Sequence, residues 1–146
     1  MSEAADFMAM GQRVLASQPF SALLGAQLTG FAAGYAELTI PVTPQLLQQH
    51  GYVHGGVLSF AADNALTFAG GSVLGAAVLT SEFKINYLLP GRGETIVARA
   101  AVLSAGARQA VCRCDVFAVA GGRETLCATA LGTIVKAPGV EANEAR

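Results

Sequence analysis

The stretch Val57–Ala69, VLSFAADNALTFA, decides the fold of this chain. It is rich in Ala and Leu, contains neither Pro nor Gly, and is apolar on nearly every side. A helix that is apolar all round is a buried helix, so these residues predict a helix at the centre of the domain. The pair Gly70-Gly71 is expected to end that helix.

Runs typical of β-strands lie on both sides of this helix in the sequence. Two short runs fall within residues 26–42, and four longer ones rich in Val, Ile, Thr and Ala cover 78–89, 94–104, 108–120 and 123–136. Turn sequences separate the later runs, as they do between sequential antiparallel strands. The order predicts an α+β fold in which an antiparallel β-sheet wraps around a central α-helix. Such a sheet covers only one side of the helix, which implies a dimer partner on the other.

The chain is expected to form one domain. Loose helical spacing of apolar residues predicts a first helix over 4–16, within an N-terminal extension at 1–18. The domain itself is assigned to residues 19–137, and the polar tail at 138–146 is expected to be disordered.

The composition is apolar, with 53% hydrophobic and 13% charged residues. Membrane insertion is one explanation, but a spanning helix needs roughly 20 consecutive apolar residues, and the best candidate, Val57–Leu74, is interrupted by Asp63, Asn64 and glycines. No signal peptide is recognisable, so a cytoplasmic protein is expected. An obligate dimer or tetramer explains the composition better. A net charge of −1 argues against nucleic acid or an anionic membrane as partner.

The three cysteines, Cys112, Cys114 and Cys127, are expected to be reduced thiols. Cys112 and Cys114 are two apart in a strand-like run and therefore share one face. No further metal ligands lie near them in the sequence, so core packing is favoured over a metal or redox role. No metal and no redox cofactor is expected.

Asp63 is the one acid in the central helix. An ionised carboxylate that is buried without partners costs several kcal/mol, so something compensates it or the site opens to a ligand. Asp63 is therefore a candidate catalytic acid or base. The alternatives are an ion pair across an interface and an exposed stripe of the helix, and the helix alone does not decide between them.

His54-Gly55-Gly56 directly precedes the helix. The first N–H groups of a helix have no internal partners and can hold an oxyanion or a polarised carbonyl. On its own the motif also fits a tight loop with a structural His. The helix start and Asp63 are nine residues apart, about 13 Å along one helix. A two-fold dimer that presents the carboxylate of one subunit to the helix start of the other would unite them.

The run His54–Ala65 resembles the signature of PaaI-like hotdog thioesterases, in which His-Gly-Gly opens the central helix and an Asp follows nine positions after the His. The run Thr80–Pro90 is similar to the strand after that helix. Upstream, Pro19–Gly25 and Gly34–Leu38 resemble the family's first strands. The resemblance covers residues 19–136. It implies a hotdog fold that dimerises and forms a tetramer, and hydrolysis of an acyl-CoA to a free acid and CoA without a metal or redox cofactor.

The resemblance also implies roles by position. Asp63 would be the nucleophile or general base. The Gly55 N–H would polarise the thioester carbonyl, and Thr80 would help to orient the water. His54 would support the turn, and Gln48 stands where relatives often carry an Asn that assists the carbonyl.

The substrate-binding candidates are a glycine of the motif, two arginines for the phosphates of CoA and three apolar side chains for the acyl pocket: Gly56, Arg92, Arg108, Phe20, Leu24 and Phe60. An ordinary solvated charge is the alternative for each arginine, and plain core packing is the alternative for the apolar residues. The acyl group of the substrate can be aromatic or medium-chain aliphatic, and the sequence does not decide between the two.

Two other functions remain as alternatives. A hydratase or dehydratase of acyl thioesters commonly pairs a His with a carboxylate, whereas here the acid has the thioesterase spacing and only His50 and His54 exist. A non-catalytic acyl-CoA sensor of this shape carries a DNA-binding domain, for which this chain has neither the length nor a basic face.

Overall fold

The computed structural model describes residues 2–139 as three α-helices, one 3₁₀ turn and six β-strands. The helices are α1 (Glu3–Ala16), α2 (Pro19–Leu23) and α3 (Gly55–Leu74), and the 3₁₀ turn is Pro44–Leu46. The strands are β1 (Gln27–Ala32), β2 (Tyr35–Pro41), β3 (Val78–Tyr87), β4 (Thr95–Ala105), β5 (Gln109–Ala120) and β6 (Arg123–Lys136). Of the predicted tail 138–146, only residues 138 and 139 are among the described residues.

The six strands form one antiparallel sheet in the order β1-β2-β4-β5-β6-β3. Alternate residues of the central strands point to α3 and are fully buried, such as Leu38, Ile96, Val116 and Ile134. Side chains at alternate positions line one face of a sheet, and this face wraps the helix. The predicted α+β fold with a sheet around a central helix is therefore confirmed, and β1 and β3 are the two edges of the sheet.

The prediction that Gly70-Gly71 ends the central helix is wrong. α3 runs on to Leu74 and ends where Gly75 adopts a φ of 108°. Gly70 serves close packing instead, because a Cβ there would lie 2.6 Å from the Cβ of Ile134 on β6. The helix crosses the sheet so tightly at this point that only glycine fits, at a cost of about 1 kcal/mol in helix propensity.

The expectation that Pro19–Gly25 forms a first strand is also wrong, because Pro19–Leu23 is the short helix α2. Proline at its first position suits a helix start, where the missing N–H costs nothing. Hydrogen bonds anchor α2 to α3: the Asn64 side-chain amide donates to Gln18 Oε1 (3.2 Å) and Ser21 Oγ (3.1 Å). Asn64 and Ser21 are both buried, so this polar contact is satisfied inside the protein.

α3 is long and apolar enough to cross a membrane by length and composition, but 61% of its most apolar window is buried inside the protein. It is therefore the core helix of this domain. The α1 helix agrees with the predicted 4–16 and packs on β1, with the rings of Phe7 and Phe31 stacked at 4.6 Å. Free thiols at Cys112, Cys114 and Cys127 are buried in the core, as predicted.

Candidate active site

A half-exposed stripe runs along α3, which is otherwise largely buried. Ser59, Asp63 and Thr67 are four residues apart and only partly buried, whereas most of the helix around them is buried. Residues four apart lie on the same side of a helix, so this stripe is the side that the sheet leaves uncovered. Asp63 is thus neither fully buried nor simply on the surface.

The Asp63 carboxylate is held by a hydroxyl from the neighbouring edge strand. Thr80 Oγ1 on β3 donates to Asp63 Oδ1 at 2.5 Å. The Thr67 hydroxyl lies 2.9 Å from Thr80 Oγ1 and 2.8 Å from the backbone oxygen of Asp63. Within residues 2–139 the carboxylate receives no other side-chain hydrogen bond, so Oδ2 is available to a water or a thioester.

Three oxygen–oxygen contacts join these residues, but the two hydroxyls carry only two protons. When Thr80 donates to the ionised Asp63, the Thr67 hydroxyl donates either to Thr80 Oγ1 or to the Asp63 backbone oxygen. In either case Thr80 keeps the carboxylate oriented through Oδ1, and Oδ2 stays free to face a substrate or a water.

The start of α3 presents one unused donor. His54 is the N-cap, and its Nδ1 accepts from the Gly56 N–H at 2.8 Å. The N–H groups of Val57 and Leu58 are directed at the His54 backbone oxygen. In the described part of the chain the Gly55 N–H has no acceptor, so it is the donor that remains for an oxyanion. Gly56, a predicted substrate-binding residue, has its own N–H engaged by the cap.

Tyr87 covers this helix start. Its hydroxyl donates to the Gly55 backbone oxygen at 3.1 Å and lies 2.5 Å from Ser59 Oγ. The ring is 3.5 Å from the place of a Cβ on Gly55. Tyr87 therefore holds the Gly55–Gly56 peptide, which directly follows the free Gly55 N–H. No role was predicted for Tyr87 from the sequence.

A β-bulge aligns Thr80 and Tyr87 on the same face of β3. Residues seven apart in a regular strand point to opposite faces. The register of β3 against β6 shifts between Thr80 and Glu82, so Ser81 is an extra residue. Both Thr80 and Tyr87 consequently turn toward α3.

Gln48 and Arg92 lie in loops close to the start of α3 in the folded chain. Gln48 Oε1 accepts from the His50 N–H within its own loop, which leaves its NH₂ group as the donor. The Arg92 guanidinium sits 4.9 Å from the centre of the Tyr52 ring. The Val53 N–H bonds the Gly91 oxygen at 2.9 Å and ties the two loops together. Arg92 is exposed and stands beside the segment that leads into His54.

Of the predicted acyl-pocket residues, Phe20 and Phe60 meet edge to face at 5.1 Å, with Phe20 56% exposed. Leu24 is partly buried against the core. Arg108 lies elsewhere: it lines a cleft with Gly75 and Lys136, at the opposite end of α3. Within one protomer Arg108 is therefore separated from the Gly55 end of the helix by about 30 Å.

Comparisons with known proteins identify the family. The profile described as Thioesterase superfamily matches residues 50–125, which include the helix start, Asp63 and Thr80. The chain belongs to the thioesterase superfamily. The predicted membership of a hotdog thioesterase family is thereby confirmed.

Several proteins similar to this chain carry thioesterase names. Acyl-coenzyme A thioesterase PaaI of Escherichia coli K12 is 37% identical over 89 residues, which are 60% of this chain and 63%, less than two thirds, of that protein. Medium/long-chain acyl-CoA thioesterase YigI of the same strain is 27% identical over 73% of this chain and 79% of its own. The structure of a thioesterase family protein from Silicibacter pomeroyi superposes with a TM-score of 0.83 at 36% identity, over 90% of this chain and 96% of that one. The E. coli PaaI structure gives 0.79 at 28% identity, over 93% and 95%.

Two groups of the candidate site lie far apart within one protomer. Gly55 and Asp63 are eight residues apart on the same straight helix, about 12 Å along its axis. A carbonyl within hydrogen-bond reach of the Gly55 N–H, about 3 Å, is out of reach of the same chain's Asp63. Each group therefore lacks its counterpart within residues 2–139.

Proposed function

We propose that this thioesterase hydrolyses acyl-CoA thioesters to a free acid and CoA, with Asp63 as general base or nucleophile. The observation that carries the proposal is the Asp63 carboxylate itself, oriented through Oδ1 by Thr80 with Oδ2 open. A base that attacks or activates water needs one fixed oxygen facing the substrate. The similarity to the acyl-CoA thioesterases PaaI and YigI supports acyl-CoA as the substrate class.

The Gly55 N–H is proposed to polarise the thioester carbonyl. It is the open donor of the first turn, and the helix dipole adds partial positive charge there. Backbone donors aimed at a developing oxyanion contribute strongly because they are already in place when charge forms. Gln48 is proposed to assist through its side-chain NH₂, and His54 to hold the turn through the Nδ1 cap.

The reaction is proposed to occur in a homodimer, because one chain does not unite its two groups. Asp63 of one protomer would face Gly55 of its partner. Support comes from the edge strand β3, which ends the sheet and carries the exposed apolar residues Leu79 and Tyr87. A second interface is proposed on the outer face of the sheet, where Leu103 and Leu131 are 61% and 50% exposed, to form a tetramer.

Arg92 is proposed to bind a phosphate of CoA, since it is exposed beside the helix start. Arg108 would take part in the same site only from the partner subunit's side. No metal or redox cofactor is needed in this scheme, because a carboxylate and an amide supply the base and the electrophile. The proposed location is the cytoplasm, where acyl-CoA is available.

The test is Asp63→Asn, which keeps the shape and removes the basicity. We expect kcat for release of CoA to fall at least about 100-fold, with KM little changed. Glu82→Gln is the matched control, since it makes the same carboxylate-to-amide change on the outer face of β3, where Glu82 accepts from Thr133.

The melting temperature and the oligomer size of each variant are measured on the same preparation. A folded Asp63→Asn oligomer with near-normal turnover would refute the role of Asp63. A variant that loses stability or dimerisation while its folded fraction keeps its rate would make Asp63 a structural residue.

A further inference from the structure

An elongated groove lies between α1 and the C-terminal half of α3. Its volume is about 370 Å³, within the usual range for small-molecule sites. The α1 wall includes Met10 and Val14, which are 43% and 39% exposed although both are large and apolar. The α3 wall includes Thr67, Gly71 and Gly75. Neither wall was recognised in the sequence as part of a site.

One end of this groove adjoins the catalytic carboxylate. Thr67 lines the groove, and its hydroxyl is the one that contacts Thr80 and the Asp63 backbone oxygen. Gln18 lines the same end and is bonded to Asn64, the residue after Asp63. The groove is thus polar where it meets the Asp63 network. Beyond that end its lining is apolar apart from Ser72, whose hydroxyl donates to the Ala69 backbone oxygen, and this matches a thioester with a hydrocarbon tail.

The length of the groove follows from the helix. Thr67, Gly71 and Gly75 are two turns apart in total, about 12 Å along the axis. Glycine opens the space: a Cβ on Gly71 would already lie 3.2 Å from Val78 Cγ2. Since each C–C bond of about 1.5 Å advances an extended chain by a little over 1 Å, the groove holds roughly eight to ten carbons.

We infer that this groove holds the acyl chain of the substrate, which makes unbranched aliphatic acyl-CoA of about eight to ten carbons the preferred class. The inference rests on the proposed function and adds the place and the length of the acyl group. It assigns α1 as the wall that sets chain length. The pair of Phe20 and Phe60, on the other side of Asp63 along α3, then contacts another part of the substrate.

The experiment measures kcat/KM for saturated acyl-CoA substrates of two to fourteen carbons. For the natural sequence we expect a rise of roughly fourfold per methylene, the value of burying one CH₂, and a plateau near ten carbons. Val14→Trp fills the groove, so kcat/KM should fall at least tenfold more for decanoyl-CoA than for butyryl-CoA. Arg13→Trp is the control, because Arg13 is exposed on the same helix and does not line the groove.

Met10→Trp is the second variant, in case Val14→Trp does not fold, and it should change the chain-length profile in the same direction. A flat profile, or equal losses at every chain length in both variants, would overturn the inference while leaving the proposed function intact. A smaller oligomer in both variants with equal losses would mean that a partner subunit fills the groove. A shift in chain length caused by Phe20→Ala and not by the α1 variants would place the acyl chain at the aromatic pair instead. No hydrolysis of any acyl-CoA would refute the proposed function itself.

Discussion

Replacing Gly55 by proline tests the oxyanion donor without removing any side chain. Proline replaces the hydrogen of the backbone N–H by a ring carbon, and the first helical position is the one where it is favoured. Gly55 is that position, since His54 is the N-cap. His54 has φ −58° and ψ 135°, the extended conformation that a residue before proline prefers. A Cβ at 55 meets the Tyr87 ring at 3.5 Å, an ordinary contact.

The expected loss is in rate and not in folding. The N–H at Gly55 makes no hydrogen bond within residues 2–139, so its removal should change stability by no more than about 1 kcal/mol. Loss of one oxyanion donor costs about 100- to 1,000-fold in kcat. Gly55→Ala is the matched control, because it adds the same Cβ and keeps the N–H. It should stay within a few-fold of the natural enzyme in a thiol-release assay.

Mixing Gly55→Pro with Asp63→Asn tests whether the two groups come from different protomers. After denaturation and co-refolding at equal amounts, about half of the dimers are mixed, and each mixed dimer has one intact site of two. Activity should therefore recover to about a quarter of the natural level, although each parent is nearly inactive. If the mixture stays as inactive as its parents while mixed dimers are shown to form, the shared site is wrong. A fully active monomer would contradict it as well.

Two further predictions concern the residues around the site and in the core. Thr80→Val should lower kcat about 10- to 100-fold, because a hydrogen bond to a carboxylate is worth about 1.5–3 kcal/mol. Thr67→Val should lower kcat less than Thr80→Val does. Because Thr67 acts partly through Thr80, the double variant should have a kcat close to that of Thr80→Val alone. Fully additive losses in the same assay would contradict this. Burial raises the pKa of Cys112 to about 11 and of Cys114 to about 12, so a thiol reagent at pH 8 should leave the native protein unmodified and react after denaturation. The unfolded thiols ionise above about pH 8.5, so the fold should lose stability as pH rises from there toward the folded pKa values, and a native thiol that reacts at once would contradict the buried assignment.

The sequence predicted the architecture well because the pattern was local and strong. The helix around Val57–Ala69 is apolar on nearly every side, and the strand runs are bounded by turn residues. The predicted end of the helix was wrong because glycine has two structural roles that cannot be told apart in the sequence. Gly70 could cap the helix or allow close approach to another element, and only the position of Ile134 on β6 decides for the second.

The parts of the site that were missed depend on contacts between distant segments. Tyr87 was seen only as part of a motif, because its direction follows from the bulge at Ser81. Thr67 lies one turn after Asp63, and this spacing places both residues on one side of the helix. The spacing indicates a shared site only when the fold shows that Thr80 lies opposite Thr67. Arg108 was assigned to the site from its residue type alone, and only the fold shows that it lies at the opposite end of α3.

The placement of the polar residues explains how a single helix can form both the core and the proposed active site. Ser59, Asp63 and Thr67 form one row on α3, and each meets a hydroxyl of Thr80 or Tyr87 on β3. These contacts lie at the boundary between the helix and an edge strand, where the domain stops. An acid set deeper under the sheet would lose access to substrate, and one on the far side would lose its orienting hydroxyl. If a partner pairs along β3, as proposed, its own row approaches this boundary, so the same contact that completes the core also completes the catalytic site.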